Sequence, residues 1–113
     1  MKTSKTDFFE FQKCFCKWQE KFGILNYEII FQHKLLDDND AELEYFRQPC
    51  AAIVRLNTEP SDSKRSMDEL AKHEAVELFL APARSVAMRR CIREDELETE
   101  FHSVVQALMR VVV

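Results

Sequence analysis

The segment Lys72–Leu78 carries the residues that are best suited to chemistry. It reads Lys-His-Glu-Ala-Val-Glu-Leu, so that His73 is followed directly by Glu74 and, four residues later, by Glu77. Residues four apart lie on one face of a helix, with Cβ atoms about 5–6 Å apart. An imidazole and a carboxylate at this spacing can bind one divalent cation, as the two histidines of an H-E-x-x-H motif do. Glu74 lies next along the helix, where its carboxylate could reach a metal-bound water instead of the metal.

A catalytic zinc site needs one more protein ligand, because such sites usually combine three protein ligands with a water. His102 lies on the flank of the apolar stripe of the last predicted helix. If that helix packs beside the one that carries His73 and Glu77, His102 completes a His–Glu–His set. Glu98 and Glu94 are alternatives, either as the third ligand or as the partner that orients His102 through its other ring nitrogen. The motif alone would also fit a surface helix with solvated acids and a half-buried histidine, but the predicted strands, the capped helix and the second histidine favour a metal site, with zinc as the expected cofactor.

The helix that carries this motif has a recognisable start. Ser66-Met-Asp-Glu69 has the S-x-x-E form of a capping box, in which the two side chains satisfy each other's backbone amides. We expect the helix to run to about Leu80 or Ala81, where Pro82 ends it, kinks it or opens a separate turn. The face opposite the motif is apolar and should be buried against a sheet; it consists of Ala71, Ala75, Leu78 and Phe79.

Hydrophobic periodicity predicts the remaining elements. Apolar residues every three or four positions indicate an amphipathic helix over residues 6–22 and a final helix over about 94–111. Alternating or β-branched segments indicate strands at 26–33, 41–46 and 51–57. Because these strands are short and joined by tight turns, we expect an antiparallel meander. The predicted fold class is α+β: an N-terminal helix, a three-stranded mostly antiparallel sheet, then the active-site helix and the C-terminal helix.

Length and composition limit the classes of protein to which the chain can belong. Its 113 residues allow a single domain, and a hydrophobic content of 46% can supply one core. A net charge of −4 argues against a surface whose main role is to bind phosphates. A local basic patch still leaves a weaker possibility, that of a nucleic-acid accessory protein; the patch includes Lys64, Arg65, Arg84, Arg89, Arg90 and Arg93.

The cysteines and the apolar segments favour a cytoplasmic location. Cysteines stand at positions 14, 16, 50 and 91, without C-x-x-C spacing, which predicts buried or half-buried free thiols in a reducing compartment. No signal peptide is recognised, and the longest apolar run is far shorter than a membrane span, so we expect no membrane partner.

Four segments of the chain resemble the small metallopeptidase proteins of phages and prophages. These are Trp18–Phe31, Ala51–Asn57, His73–Leu80 and Glu98–His102, which follow in that family's order across nearly the whole chain. The resemblance implies one minimal zincin-like domain over residues 1–113, related to SprT-type and gluzincin cores. It also implies that His73, Glu77 and His102 are zinc ligands and that Glu74 is the general base.

The sequence departs from that family's pattern at Pro82 and in the short loop Thr58–Arg65, and it shares with the family a glutamate at the second ligand position.

The function that the motif and the resemblance lead us to expect is zinc-dependent hydrolysis of a peptide or protein substrate by a phage or prophage protein in the host cytoplasm. The strand that ends at Asn57 would edge the cleft and pair with an extended peptide. The alternative is a non-catalytic phage protein that binds and inhibits a host protein or defence complex on the same scaffold.

Overall fold

The chain folds, over its described residues, as one helix, three strands and two further helices. The computed structural model describes residues 2–61, 65–89 and 94–112, except for the side chain of residue 89. The elements are α1 (Lys5–Lys21), β1 (Glu28–Lys34), β2 (Ala41–Phe46), β3 (Ala51–Asn57), α2 (Met67–Arg89) and α3 (Glu94–Val111). The predicted α+β layout is confirmed, and the bounds of β2, β3 and α3 agree with those expected from the sequence.

The sheet is mixed, with the strand order β1-β3-β2. β3 runs parallel to β1, with Lys34 opposite Asn57, and antiparallel to β2, with Ala41 opposite Leu56. The predicted meander is therefore wrong, because β3 lies between the other two strands. The physical reason is that β3 is the most apolar strand, with Val54 and Leu56 fully buried, and the centre of a sheet is where such a strand is best shielded from water.

Asn57 holds the connection that makes this topology possible. Residues 35–40 pass across the end of β3 on their way from β1 to β2. The Asn57 side chain accepts from the Leu36 amide (3.1 Å) and donates to the carbonyls of Leu36 (3.2 Å) and Asn39 (2.8 Å). Its backbone amide donates to the carbonyl of Asp40 (2.9 Å). A single buried side chain thus satisfies several backbone groups of the crossing segment.

Both α1 and α2 bury apolar faces in one core. Ser4 and Asp7 form a capping box at the start of α1, and the predicted aromatic stripe buries Phe11 and Phe15 completely. The Phe15 ring meets Phe31 of β1 edge-on, with centroids 5.6 Å apart. From α2, Ala71, Ala75 and Leu78 are fully buried as predicted. Phe79 is not buried against the sheet: it is 46% exposed and its ring contacts that of Phe22.

Helix α2 does not end near Leu80 or Ala81 but continues through Pro82 to Arg89. Pro82 lacks an amide hydrogen and removes one helical hydrogen bond. Its ring lies on the exposed side of the helix. The residues that follow include Ala, Arg and Met, all good helix formers, and they carry side chains that contact α3. The extension is what brings Arg84 to Glu98 of α3.

Helix α3 packs against α2 and is fastened at its C-terminal end by Lys72. Leu97 and Val105 are its buried residues. The buried Lys72 ammonium donates to the carbonyls of Met109 (3.0 Å) and Val112, where a helix lacks its own donors. Among the described residues, no helix is sufficiently long and apolar to cross a membrane.

The described cysteines form no disulfide. Cys14 and Cys50 are half-buried, as expected, whereas Cys16 is exposed because it points away from the buried face of α1. Cys91 lies outside the described residues.

Candidate active-site cleft

A cleft of about 590 Å³ lies between α2, the strand β2 and the beginning of α3. Three of the predicted site residues, His73, Glu74 and Glu77, line it together with Arg84 of α2 and Glu98 of α3. The opposite wall is β2, which contributes Ala41, Glu42, Leu43 and Tyr45. The structure therefore brings the motif of α2 to a concave surface, which is where ligand sites form.

Helical spacing explains why these side chains share the cleft. Glu77 is four residues after His73, and Arg84 is seven residues after Glu77, so all three lie on one face of α2. Glu74 is one position further round the helix and only 6% exposed, because it is turned toward the sheet. The Ser66 hydroxyl accepts from the Glu69 amide (3.1 Å), which starts the helix about two turns before the motif.

His73 and Glu74 are hydrogen-bonded to each other. The distance from His73 Nδ1 to Glu74 Oε2 is 3.2 Å, and because a carboxylate only accepts, the ring carries a hydrogen on Nδ1. This hydrogen bond raises the pKa of the half-buried His73, outweighing the effect of burial. The contact orients the ring and leaves Nε2 for another partner in the cleft.

Arg84 links the carboxylates of two helices. Its Nη1 lies 3.3 Å from Oε2 of Glu77, and its Nη2 donates to Oε1 of Glu98. Burial raises the pKa of Glu77, and the nearby Glu74 raises it further, whereas His73 and Arg84 lower it in part. The guanidinium thus marks a point on which two carboxylates converge and where positive charge is stabilised.

The third predicted ligand, His102, is not brought to this point. Its side chain is exposed on α3 and does not line the cleft, although its charge acts on Glu77 and lowers the pKa of that carboxyl slightly. Glu98, one of the alternatives expected from the sequence, lines the cleft instead, whereas Glu94 is exposed.

The imidazole and carboxylate groups of this cleft are of the types that bind zinc, but two of the carboxylates, those of Glu77 and Glu98, form ion pairs with Arg84. Among the residues that the structure describes, no three His, Cys, Asp or Glu side chains form a ready-made metal cluster. One imidazole and two carboxylates are nevertheless acceptable zinc ligands, and the two carboxylates already share a cation, the Arg84 guanidinium. Zinc at this cleft would take the place of that guanidinium.

The expectation that β3 edges the cleft is wrong. β3 is the central strand and pairs with β1 on one side and with β2 on the other, so its backbone has no free edge for a peptide. The strand beside the cleft is β2, which pairs with only β3 within the described residues. An edge strand presents unpaired amides and carbonyls, which a further strand can use.

Two features of the cleft were missed by reasoning from the sequence. Arg84 was grouped with a basic patch, although its spacing from Glu77 places it on the motif's face once α2 is known to pass Pro82. The role of β2 could not be seen, because it depends on strand order. Within the predicted basic patch, the Arg84 guanidinium forms ion pairs with two glutamates. The side chains of residues 89, 90 and 93 lie outside the described residues.

No family model, curated protein or solved structure matches this chain. The resemblance drawn from four segments thus has no independent support from these comparisons. The geometry and charge of the cleft are therefore the features that bear on function.

Proposed function

We propose that the chain is a zinc-dependent hydrolase of peptide bonds, encoded by a phage or prophage, and that this cleft is its active site. One observation carries the proposal: His73, Glu74 and Glu77 of one helix and Glu98 of the next line a single cleft beside the free edge of β2. An imidazole and carboxylates that share a partly buried cleft with shifted pKa values are typical of functional sites.

The ligands would come from both helices. His73, whose Nδ1 is hydrogen-bonded to Glu74, would hold the metal through its free ring nitrogen, and Glu77 would hold it through its carboxylate. α3 supplies the third ligand, for which Glu98 is better placed than His102. When bound, zinc acts as a Lewis acid that polarises the substrate carbonyl and makes water a stronger nucleophile. Arg84 must release both carboxylates for this to occur.

Glu74 serves as the general base. Its carboxylate is buried, lines the cleft and lies within one residue of the first ligand. It accepts the proton of the attacking water and passes it to the leaving amine. Its bond to His73 also fixes the imidazole ring, so the same group positions a ligand and moves a proton.

The substrate is held by the edge of β2. An extended peptide that adds to this strand would lie along the cleft, with its backbone bonded to β2 and its side chains directed alternately toward and away from α2. Ala41 and Leu43 line the floor at this point, and their small and medium side chains leave room for such a chain.

Zinc binding by purified variants tests the proposal. We expect the parent to bind one zinc per chain in titration calorimetry, and His73→Ala and Glu77→Ala to bind at least about 100-fold more weakly, since loss of a ligand's outer partner alone costs about 10–100-fold. Glu69→Ala, an exposed glutamate on the same helix, is the matched control. Comparison of Glu98→Ala with His102→Ala identifies the third ligand.

Turnover is tested separately. Glu74→Gln should retain zinc and lose hydrolysis of a peptide library, because the amide cannot accept the proton. If the parent takes up no more zinc than His73→Ala, the proposal fails.

A second candidate is favoured by the ion pairs of Arg84. Because Arg84 already pairs with both Glu77 and Glu98, no metal is needed to hold these two carboxylates together, which suits a non-catalytic protein that binds and inhibits a host protein or defence complex. In that case Glu74→Gln would leave the effect on the host unchanged, and the parent would form a complex with its target without cleaving it.

A further inference from the structure

Two cavities of opposite charge meet at His73. The active-site cleft is lined by four carboxylates, those of Glu42, Glu74, Glu77 and Glu98, against the single guanidinium of Arg84. A second groove of about 1070 Å³ lies between α1, the first half of α2 and the end of α3. Its basic side chains outnumber its three acids and are Lys17, Lys21, Arg65, Lys72 and Arg110. His73 lines both cavities, so they adjoin at the proposed catalytic centre.

Part of the positive charge in the groove is free to bind a ligand. Lys17 donates to Asp68 (2.8 Å), and Lys72 donates to the carbonyls at the end of α3. Lys21 and Arg110 are exposed and form no ion pair within the described residues. Lys21 lies over the Trp18 ring, 5.2 Å from its centroid, and Arg110 uses only its Nε, for the carbonyl of Gln106.

The position of β2 gives the direction of a bound peptide. β2 begins at Ala41, directly after Asp40, and Asp40 is bonded to Arg65 of the basic groove (3.2 Å). A peptide that pairs antiparallel with β2, the commoner arrangement, runs from beside Tyr45 toward Ala41. Its N-terminal part therefore lies in the acidic cleft, and its C-terminal part passes His73 into the basic groove.

We infer that the basic groove binds acidic residues that follow the scissile bond. The inference rests on the proposed function, since it treats the groove as the continuation of the active site. It names the substrate class as polypeptides in which an acidic segment follows the scissile bond. A nucleic acid fits the groove less well, because Glu20, Asp68 and Glu69 interrupt the positive surface along which a phosphate backbone would lie.

Peptide binding to the full chain carrying Glu74→Gln tests this without turnover. Two fluorescent peptides of identical composition are compared by anisotropy at low salt, one with lysines before aspartates and the other with the order reversed. We expect the first to bind at least about tenfold more tightly, because only that order places the aspartates in the basic groove when the peptide pairs antiparallel with β2. Lys21→Glu and Arg110→Glu should each weaken its binding by about fivefold or more, whereas Lys34→Glu, an exposed lysine at the end of β1, should not.

Equal binding of the two peptides, or equal effects of Lys21→Glu and Lys34→Glu, would overturn the inference. So would tighter binding of a single-stranded oligonucleotide than of the preferred peptide at the same salt concentration. The zinc titrations remain independent of these results. If the chain binds zinc but shows no preference for charge order, only the proposed role of the basic groove is refuted. If it prefers one charge order but binds no zinc, only the proposed zinc-dependent hydrolysis is refuted.

Discussion

Arg84 of α2 donates to Glu98 of α3, so a side chain beyond Pro82 ties the two helices together across the cleft. The same guanidinium is bonded to Glu77, the second residue of the proposed zinc pair. The chain therefore supplies its own cation at the place where the two carboxylates converge. Binding of a metal and retention of these ion pairs exclude each other, which makes Arg84 a sensitive position to test.

Arg84→Ala should strengthen zinc binding and weaken the metal-free fold. Without the guanidinium, the half-buried Glu77 and its neighbour Glu98 repel each other, and a divalent cation relieves that repulsion. In differential scanning fluorimetry, we expect the metal-free Arg84→Ala variant to melt at a lower temperature than the metal-free parent. We also expect zinc to raise the melting temperature of the variant by more than it raises that of the parent. Arg84→Lys keeps the charge and serves as the control. A smaller zinc-induced rise in Arg84→Ala than in the parent would contradict the competition between Arg84 and the metal.

Asn57→Ala should be one of the more destabilising single substitutions in the chain. Asn57 is 3% exposed, and its side chain satisfies the Leu36 amide and the carbonyls of Leu36 and Asn39. Because those groups would be left unpaired, we expect a loss of about 2–4 kcal/mol in the free energy of unfolding. Urea titration measures it. Asn26→Ala, at an exposed asparagine, should cost far less; similar losses would show that Asn57 does not hold the crossing segment.

Lys72→Met should loosen the end of α3 and leave the rest of the fold in place. The methionine keeps the buried volume of the stem but cannot donate to the carbonyls of Met109 and Val112. Hydrogen exchange should therefore speed up in the last two turns of α3 and stay unchanged in β3. Lys5→Met, at an exposed lysine, is the control. Unchanged exchange in α3 would mean that Lys72 does not fasten this helix.

The stability of the fold should depend on Asp68 in acid. Burial raises the pKa of Asp68, but hydrogen bonds from Lys17 (2.8 Å) and Trp18 (2.9 Å) outweigh it, so the pKa is lower than usual. A carboxyl whose pKa is lowered by folding stabilises the protein above its unfolded pKa of about 4 and loses that contribution as the pH falls through the lower folded value. The contribution is about 1 kcal/mol or less, because the side chain is 44% exposed.

The comparison of the parent with Asp68→Asn across pH checks this expectation. At pH 7 the parent should unfold at the higher urea concentration, and the difference should shrink progressively below about pH 4. A difference that stays constant down to pH 2.5 would show that the charge of Asp68 is not the stabilising feature.

Much of the fold could be predicted because its elements carry strong local signals. The aromatic stripe of α1, the S-x-x-E start of α2 and the acidic start of α3 each specify a helix through contacts within a few residues. The end of α2 could not be predicted in this way. Pro82 favours the end of the helix, but the helix formers that follow it favour continuation. The ion pair between Arg84 and Glu98 of α3 also stabilises the continued helix, and it joins residues that are far apart in the sequence.

The sequence by itself determined the order and approximate positions of the helices and strands, except for the end of α2, and it placed His73 and Glu77 one turn apart on α2. Only the tertiary structure decided that β3 lies at the centre of the sheet, that β2 edges the cleft and that Glu98 of α3 lines the cleft with Glu77. The reason is physical. Helical periodicity is set by hydrogen bonds between residues four apart, whereas strand order and the rotation of α3 are set by burial and by ion pairs between residues distant in the chain.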